Sequence, residues 1–232
     1  MLVLAIDTCD SRGSVSLLRQ GKVVGTVAHE GAEDYSSWLL PAVERALTAE
    51  SITMPDVGLY AIAAGPGSFT GVRVGLTTVK AWSEVYARPI AAVSRLEALA
   101  IQTPPGASWV AAFTDARRGQ VFGALYRKNG THLKLQNQEM VAPPGKFADW
   151  VSDQAGKQYV TWVSTDPTVI ASEPAWALRQ AGGETIQVVS GVLAPMIGQL
   201  GLQHAKTGSL IDALTLEANY VRRSDAEIFW KR

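Results

Sequence analysis

Apolar and polar positions along this chain follow two alternating patterns, which predict β-strands interleaved with α-helices. Continuous apolar runs bounded by Gly, Pro, Asp or Ser are typical of buried strands, whereas apolar positions three and four residues apart are typical of helices. In the first half these patterns predict strands over 2–8, 14–18, 23–29, 57–64 and 90–93. They also predict helices over 36–49, 70–87 and 95–102.

The second half repeats this order of elements more weakly. It predicts strands over 109–114, 120–126, 132–141, 159–164 and 185–189, with helices that start near 147 and cover 168–181 and 194–205. Because Thr103-Pro-Pro-Gly106 separates the halves, we expect an N-terminal lobe over 1–103, joined by the segment 209–232, and a C-terminal lobe over 104–208. Two lobes of mixed sheets flanked by helices are typical of the α/β, actin-like (ribonuclease H-like) duplicated ATPase fold. A fold by itself assigns no function.

Composition narrows the class of protein. Lys plus Arg and Asp plus Glu each total 21, so the net charge is zero. A protein that binds nucleic acid on its own usually carries a basic excess, so we expect any contact with RNA to be local or made through a partner. The single cysteine, Cys9, cannot form an internal disulfide, and no apolar run reaches the roughly 18 residues of a membrane helix. We therefore expect a cytoplasmic protein with no membrane contact.

A glycine-rich segment joins the fourth predicted strand to the second predicted helix. It reads Gly65-Pro-Gly-Ser-Phe-Thr-Gly-Val-Arg-Val-Gly75. Ser68 or Thr70 can cap the helix, and its free N–H groups could hold a phosphate. The alternative is an ordinary tight turn, because no Walker lysine follows. Gly71 and Gly75 predict that another backbone approaches this helix closely, either the chain's own sheet or a helix of a second subunit.

Two polar hairpins are further candidates for phosphate binding. The first contains Asp7, Thr8 and Ser11; in actin-type enzymes such a hairpin carries a metal-binding aspartate and groups that hold phosphate. The second, at the matching place of the second half, contains Asp115 and Arg117. Arginine can bind phosphate or carboxylate through two hydrogen bonds. The alternative for both hairpins is ordinary polar turn chemistry, although a buried Asp7 needs a partner in either case.

Candidate catalytic groups are few. The three histidines, His29, His132 and His204, show no metal-ligand spacing, and neither a Gly-x-Ser-x-Gly nor a His-Glu-x-x-His motif occurs. Cys9 has no evident base near it in the sequence. We therefore expect no catalytic residue and no metal site in this chain. The pattern indicates a fold of the phosphate-binding type with few groups to perform chemistry.

Six segments together resemble the TsaB family, bacterial proteins needed to make threonylcarbamoyladenosine on tRNA. They are Leu4-Ala-Ile-Asp-Thr8, Leu39-Leu-Pro41, the glycine-rich segment, Ser94-Arg-Leu-Glu-Ala-Leu99, Asp115-Ala-Arg-Arg-Gly-Gln-Val121 and Tyr220-Val-Arg-Arg-Ser-Asp-Ala226. The resemblance implies a non-catalytic partner of the catalytic paralogue TsaD and of the ATPase TsaE, with tRNA bound through the complex. It also implies no tightly bound cofactor. ATP or ADP at the interface with TsaD is one expectation, and nucleotide bound to this chain or in the cleft of TsaD is the alternative.

The resemblance also indicates an interaction surface. The family forms homodimers when TsaD is absent, through the two helices of the N-terminal lobe that also bind TsaD. On these helices the candidate contact residues are Trp38, Leu39, Val43, Gly71, Val72, Gly75 and Leu76. This contact set predicts that Gly75→Leu weakens assembly and leaves the monomer folded. Tyr35 departs from the family, whose members often have histidine at this place.

Two other functions are alternatives at the level of sequence. An autonomous ATPase or kinase of the same fold would use Asp7 to bind metal and the two hairpins to bind phosphates. A peptidase is a label that related sequences have carried. The lack of an evident nucleophile–base pair disfavours it.

Overall fold

The computed structural model of the chain describes residues 1–222. The described residues form two compact units, each with its own sheet. The first unit comprises Met1–Ala98 and Gly191–Tyr220, and the second comprises Leu99–Ser190 together with Val221 and Arg222. The chain therefore leaves the first unit after Ala98 and returns to it after Ser190.

The first sheet has five strands, and its N-terminal strand lies at the centre. The strands are β1 (Leu2–Asp7), β2 (Ser14–Arg19), β3 (Lys22–Ala28), β4 (Leu59–Gly65) and β5 (Ile90–Ser94). Their order is β3-β2-β1-β4-β5, with antiparallel pairing among β1, β2 and β3 and parallel pairing from β1 to β4 and β5. The two central strands β1 and β4 are buried along almost their whole length, which explains their continuous apolar runs.

Three helices of this half follow the predicted pattern. They are α1 (Tyr35–Ala49), α2 (Phe69–Tyr86) and α3 (Arg95–Ala100). Helix α1 begins after Asp34, one residue before the predicted start, so that Pro41 lies in its second turn. Ser68 caps α2 as predicted, because its side chain accepts a hydrogen bond from the N–H of Gly71. The helix ends at Ala87 in a left-handed conformation.

The second sheet repeats the topology of the first. Its strands are β6 (Trp109–Asp115), β7 (Val121–Asn129), β8 (His132–Ala142), β9 (Thr161–Ser164) and β10 (Ile186–Val188). Their order is β10-β9-β6-β7-β8, so β6 takes the central place that β1 holds in the first sheet. This duplication confirms the predicted two-lobed α/β architecture of the actin-like class.

Helices of the second half depart from the predicted pattern at two points, since the first begins at Pro144 rather than near 147 and the second is divided. They are α4 (Pro144–Ala155), α5 (Thr168–Ala171) and α6 (Pro174–Ala181). A single helix over 168–181 is predicted, but the structure divides it before Pro174. Proline has no N–H for the helical ladder and disfavours a helical conformation in the residue that precedes it.

The last helix of the described chain belongs to the first unit. Helix α7 (Ala194–Thr207) packs on β1, β2, β4 and β5. A Cβ at Gly198 would lie 2.2 Å from Cδ1 of Leu18, and one at Gly201 would lie 2.7 Å from Cβ of Ala61. The expected assignment of all of 104–208 to the C-terminal lobe is therefore corrected for this helix, which two glycines allow to lie close on the first sheet.

The second unit has a core of its own. It centres on Phe147 of α4 and Trp162 of β9, with Phe113 and Trp176 packed around them. None of the helices described within residues 1–222 combines the length and hydrophobicity that a membrane crossing requires.

Candidate functional site

Two aspartates, Asp7 at the end of β1 and Asp10 in the turn after it, form an ion triad with Arg95, the first residue of α3. Asp7 is fully buried, and its Oδ2 accepts a hydrogen bond from Nε of Arg95 at 3.0 Å. Nη2 of Arg95 lies 3.1 Å from Oδ2 of the partly exposed Asp10. The other oxygen of Asp7, Oδ1, accepts the N–H of Cys9 at 2.9 Å. Both carboxylate oxygens of Asp7 are therefore occupied by partners inside the unit.

Burial and charge set the protonation of the groups around the triad. Burial acts to raise the pKa of Asp10, but the charge of Arg95 and hydrogen bonds from Ser11 and Arg95 outweigh it, so this pKa is lowered. Burial, followed by the negative charge of Asp7, raises the pKa of the Cys9 thiol well above its ordinary value. Cys9 therefore stays a thiol near neutral pH and donates to the carbonyl of Ala63. A protonated, buried thiol is not a nucleophile.

Helix α2 begins directly against the turn between β1 and β2. The N–H of Ser68 donates to the carbonyl of Cys9 at 2.7 Å, and Oγ1 of Thr8 donates to the carbonyl of Gly71 at 2.7 Å. A Cβ at Gly67 would lie 2.3 Å from the Cys9 oxygen, and one at Gly71 would lie 2.0 Å from the Thr8 oxygen. Because the backbones leave no room for a methyl group, they leave none for a phosphate between them.

Tyr35 links α1 to the turn between β1 and β2 by hydrogen bonds. Its hydroxyl accepts the N–H of Gly13 at 2.8 Å and donates to the carbonyl of Asp10. Its ring centre lies 4.8 Å from that of His29 and 5.7 Å from that of Trp38. Burial is the main cause that raises the pKa of Tyr35 to about 12, so the phenol stays neutral and able to donate. Tyr35 therefore has a structural role, because its hydroxyl joins α1 to the turn between β1 and β2.

The five residues predicted to bind phosphate in the first unit fall into two groups. Asp7, Thr8 and Ser68 make the internal contacts described above. Ser11 and Thr70 are exposed, and the N–H of Ser11 donates to Oδ1 of Asp10 at 2.7 Å. This geometry agrees with the alternative of turn and cap chemistry. Within residues 1–222, no three His, Cys, Asp or Glu side chains come together as a group that could hold a metal ion.

In the second unit, the two predicted phosphate residues lie in the turn between β6 and β7. Nη1 of Arg117 lies 3.2 Å from Oδ2 of Asp115, and the Arg117 side chain is 79% exposed. Arg222 fastens the base of this turn, since its Nη1 donates to the carbonyl of Ala116 at 2.9 Å and its guanidinium lies 5.5 Å from the ring centre of Phe122. Arg117 is thus an exposed cation on a turn that a residue distant in sequence holds in place.

The structure corrects the predicted partner contacts on α1 and α2. All seven candidate residues are buried within the first unit, namely Trp38, Leu39, Val43, Gly71, Val72, Gly75 and Leu76. A Cβ at Gly75 would lie 2.5 Å from Oγ1 of Thr8, so the close approach is that of the chain's own sheet. Gly75→Leu is therefore expected to destabilise the monomer itself, contrary to the earlier expectation.

Sequence reasoning missed two sets of anchoring residues. The burial of Asp7 showed that a partner was needed, but no local pattern identified Arg95, 88 residues away. The second set is a stack of Phe69 on Tyr220, with ring centres 4.5 Å apart, in which Nε of Arg73 donates to the Tyr220 hydroxyl at 3.0 Å. The segment expected to pack on the N-terminal lobe lies in the first unit as far as Tyr220, and residues 223–232 fall outside the described part.

Known proteins are similar to this chain in sequence and in fold. The model of the family "TsaD: tRNA N6-adenosine threonylcarbamoyltransferase" matches residues 16–159. The tRNA threonylcarbamoyladenosine biosynthesis protein TsaB of Bacillus subtilis is 36% identical over 152 residues, and that of Escherichia coli is 34% identical over 131. These matches cover 65% and 56% of the relatives' own lengths, and the same shares of this chain. A Pseudomonas aeruginosa crystal structure, described as similar to the peptidase YeaZ, matches 95% of this chain and 99% of its own, with 26% identity and a TM-score of 0.79.

Proposed function

This chain belongs to the TsaD family of tRNA N6-adenosine threonylcarbamoyltransferases, and from that membership we propose that it works in the biosynthesis of threonylcarbamoyladenosine on tRNA. The resemblance to TsaB drawn from six sequence segments is confirmed by the relatives in Bacillus subtilis and Escherichia coli. Within this biosynthesis we assign the chain the role of a subunit that supports a catalytic partner and has no catalytic residues of its own.

One observation carries the non-catalytic role. Arg95 lies between the carboxylates of Asp7 and Asp10, at 3.0 Å and 3.1 Å. Its guanidinium supplies, from within the chain, the positive charge that a metal ion supplies at such a strand end in actin-type enzymes. The start of α2 also packs on the β1–β2 turn so closely that no phosphate fits between the two backbones. Both features favour the role of a non-catalytic subunit over that of an autonomous ATPase or kinase.

The exposed side of α1 and α2 is the surface we assign to the partner. These two helices contact each other within the first unit. Leu40 of α1 is 56% exposed and Val85 of α2 is 73% exposed, so each helix offers one large apolar side chain for a partner to cover. The partner is TsaD, and a second copy of this chain takes its place when TsaD is absent. TsaE binds the pair, ATP or ADP lies at the interface with TsaD, and tRNA is bound through the complex.

The assembly test uses a matched pair of substitutions. Leu40→Asp places a charge on the assigned surface and is expected to weaken binding to TsaD about 30-fold, since central contacts contribute about 2 kcal/mol. Leu178→Asp alters a side chain of α6 that is 78% exposed in the second unit and should leave binding unchanged. Light scattering on the chain alone and with TsaD of the same organism gives the masses, and titration calorimetry gives the affinities.

Two outcomes would contradict the proposal. If no complex forms with TsaD, even with TsaE and ATP present, the supporting role is wrong. If the chain alone turns over ATP with magnesium, and Asp7→Asn abolishes that turnover while thermal melting shows that the variant is still folded, the chain is an autonomous enzyme. Equal binding of TsaD by both Leu→Asp variants would leave the supporting role standing but refute the assigned surface.

A further inference from the structure

Cations are unevenly distributed along the second sheet. Between Asp115 and Glu139 the sequence has five Lys or Arg residues and no Asp or Glu, although the net charge of the chain is zero. Three of the five, Arg127, Lys128 and Lys134, lie beside the turn between β7 and β8. This end of the sheet therefore concentrates positive charge with no carboxylate nearby in its own strands.

Strand register brings an aromatic residue and two of these cations into one row. Trp109 of β6 pairs directly with Arg127 of β7, which in turn pairs directly with Lys134 of β8. Directly paired residues lie on the same face of a sheet. The guanidinium carbon of Arg127 lies 4.6 Å from the ring centre of Trp109. Arg127 and Lys134 are exposed, and Trp109 is partly exposed. The exposed His132 begins β8, two residues before Lys134 and on the same face.

Within residues 1–222, neither cation of this row forms an ion pair with a carboxylate. Like charges directly opposite each other destabilise a strand pair. The salt bridges within residues 1–222 involve other cations, and none joins Arg127 or Lys134 to a carboxylate. The buried Lys128 is held by dipoles, since its Nζ donates to the carbonyls of Thr103 and Ile101 and to the Thr103 hydroxyl. A repulsion between neighbouring cations that no ion pair offsets is typical of a functional surface.

We infer that the row Trp109–Arg127–Lys134, with His132 beside it, binds the phosphate backbone of RNA. Neutralisation of phosphates by Lys and Arg dominates the affinity of nucleic-acid binding. An arginine stacked on an aromatic ring keeps a planar fork of donors that matches phosphate geometry, and aromatic rings with cations are a common means of binding nucleic-acid strands. The inference rests on the proposed function for the identity of the RNA, which is tRNA. An acidic protein surface is the competing occupant.

The test compares two double variants of the full chain. Arg127→Gln with Lys134→Gln removes the row, and we expect roughly tenfold weaker binding of unmodified tRNA at 100 mM salt. We also expect the slope of log K against log salt to fall by about two, one for each phosphate contact. Fluorescence anisotropy with a labelled transcript between 50 and 200 mM salt gives both quantities, and thermal melting confirms that each variant is folded.

Arg19→Gln with Lys22→Gln is the matched control. It removes a directly opposed pair of cations from the corresponding β2–β3 turn of the first sheet, so the change in net charge is the same. There a carboxylate is close by, since hydrogen bonds from Thr53 and, more weakly, the charge of Arg19 lower the pKa of Asp56. This control should leave the affinity and the salt slope unchanged. Arg127→Lys should keep the slope and lose part of the affinity.

The outcomes separate this inference from the proposed function. Equal loss in both double variants, or no salt-dependent tRNA binding by the wild-type chain, would overturn the inference. It would also be overturned if removal of the row weakened assembly with TsaD and left tRNA binding intact, because the row would then bind protein. Failure of the proposed function itself would appear in the light-scattering experiment with TsaD, in which the row is unchanged.

Discussion

The buried ion pair at the end of β1 contributes to the stability of the fold. Asp7 is fully buried and pairs with Arg95, whose side chain is only 2% exposed. Removing one partner of a buried pair leaves an uncompensated charge, which costs far more than the loss of a surface pair. The triad therefore serves the stability of the first unit. It also links that stability to pH through the partly exposed Asp10.

Asp10→Asn should change the response of the fold to acid. The pKa of Asp10 is lower in the folded chain than its unfolded value of about 3.9, because Arg95 and Ser11 outweigh the effect of burial. Asp10 therefore contributes stability above that value and loses the contribution as the pH falls through its folded-state pKa. We expect the variant to be less stable than wild type at pH 7, with the difference shrinking below about pH 4.

Urea unfolding at pH 7 and at acid pH measures this difference. Asp149→Asn, at an exposed position on α4, serves as the control and should match wild type at pH 7. A loss of stability in Asp10→Asn that is the same at both pH values would show that the carboxylate charge is not its cause.

Gly71 tests the close approach between α2 and the β1–β2 turn. Gly71→Ala would place Cβ 2.0 Å from the carbonyl oxygen of Thr8, a backbone atom that cannot rotate away. We expect a loss of about 3 kcal/mol, at the upper end of the cost of overpacking. Gly106→Ala, where no atom lies within 4 Å, is the control and should be close to neutral. Urea midpoints of the two variants make the comparison, and equal midpoints would refute the contact.

Single helices show where sequence periodicity stops being informative. The apolar spacing of α7 predicts a helix over 194–205 and the structure has one over Ala194–Thr207, but the spacing does not say which sheet it covers. Neighbourhood in sequence favoured the second sheet. Close contact of Gly198 and Gly201 with side chains of the first sheet decides otherwise. Likewise, Gly71 and Gly75 of α2 face Thr8, directly after β1, while Leu40 and Val85 are exposed.

Substitution at Gly201 tests to which unit α7 belongs. In Gly201→Val the added side chain would meet Cβ of Ala61 and of Ala91, neither of which can move without its strand. We expect faster amide exchange in Met1–Ala98, measured by mass spectrometry, with 104–190 unchanged. Phe147→Ala is the reverse case, because it empties the core of the second unit and should cost about 3–5 kcal/mol there. Faster exchange of 104–190 in Gly201→Val would contradict the assignment of α7.

At the scale of the whole molecule, one topology occurs twice with different surfaces. Each sheet places its first strand at the centre, with two antiparallel neighbours on one side and two parallel neighbours on the other. The first unit carries the internal ion triad and the exposed apolar residues of α1 and α2. The second carries the cationic row. A net charge of zero therefore conceals an uneven distribution of charge along the chain.

The sequence by itself determined the elements and the class of fold. Runs such as 2–8 and 57–64 predict strands because a strand that is buried on both faces of its sheet is apolar at successive positions. Capping by Ser68 depends only on Gly71, three positions away. The glycine, Asp-Ala-Arg and C-terminal Tyr-Val-Arg segments also sufficed to indicate the family. These features depend on near neighbours, which the sequence states explicitly.

Only the tertiary structure decided which groups meet. It paired Asp7 with Arg95, turned Gly71 and Gly75 toward Thr8, placed α7 on the first sheet, and stacked Arg127 on Trp109. Each of these contacts joins residues far apart in the chain, and each depends on the packing of whole elements. A local pattern indicates that a buried charge or a small residue needs a partner, but it does not indicate where along the chain that partner lies.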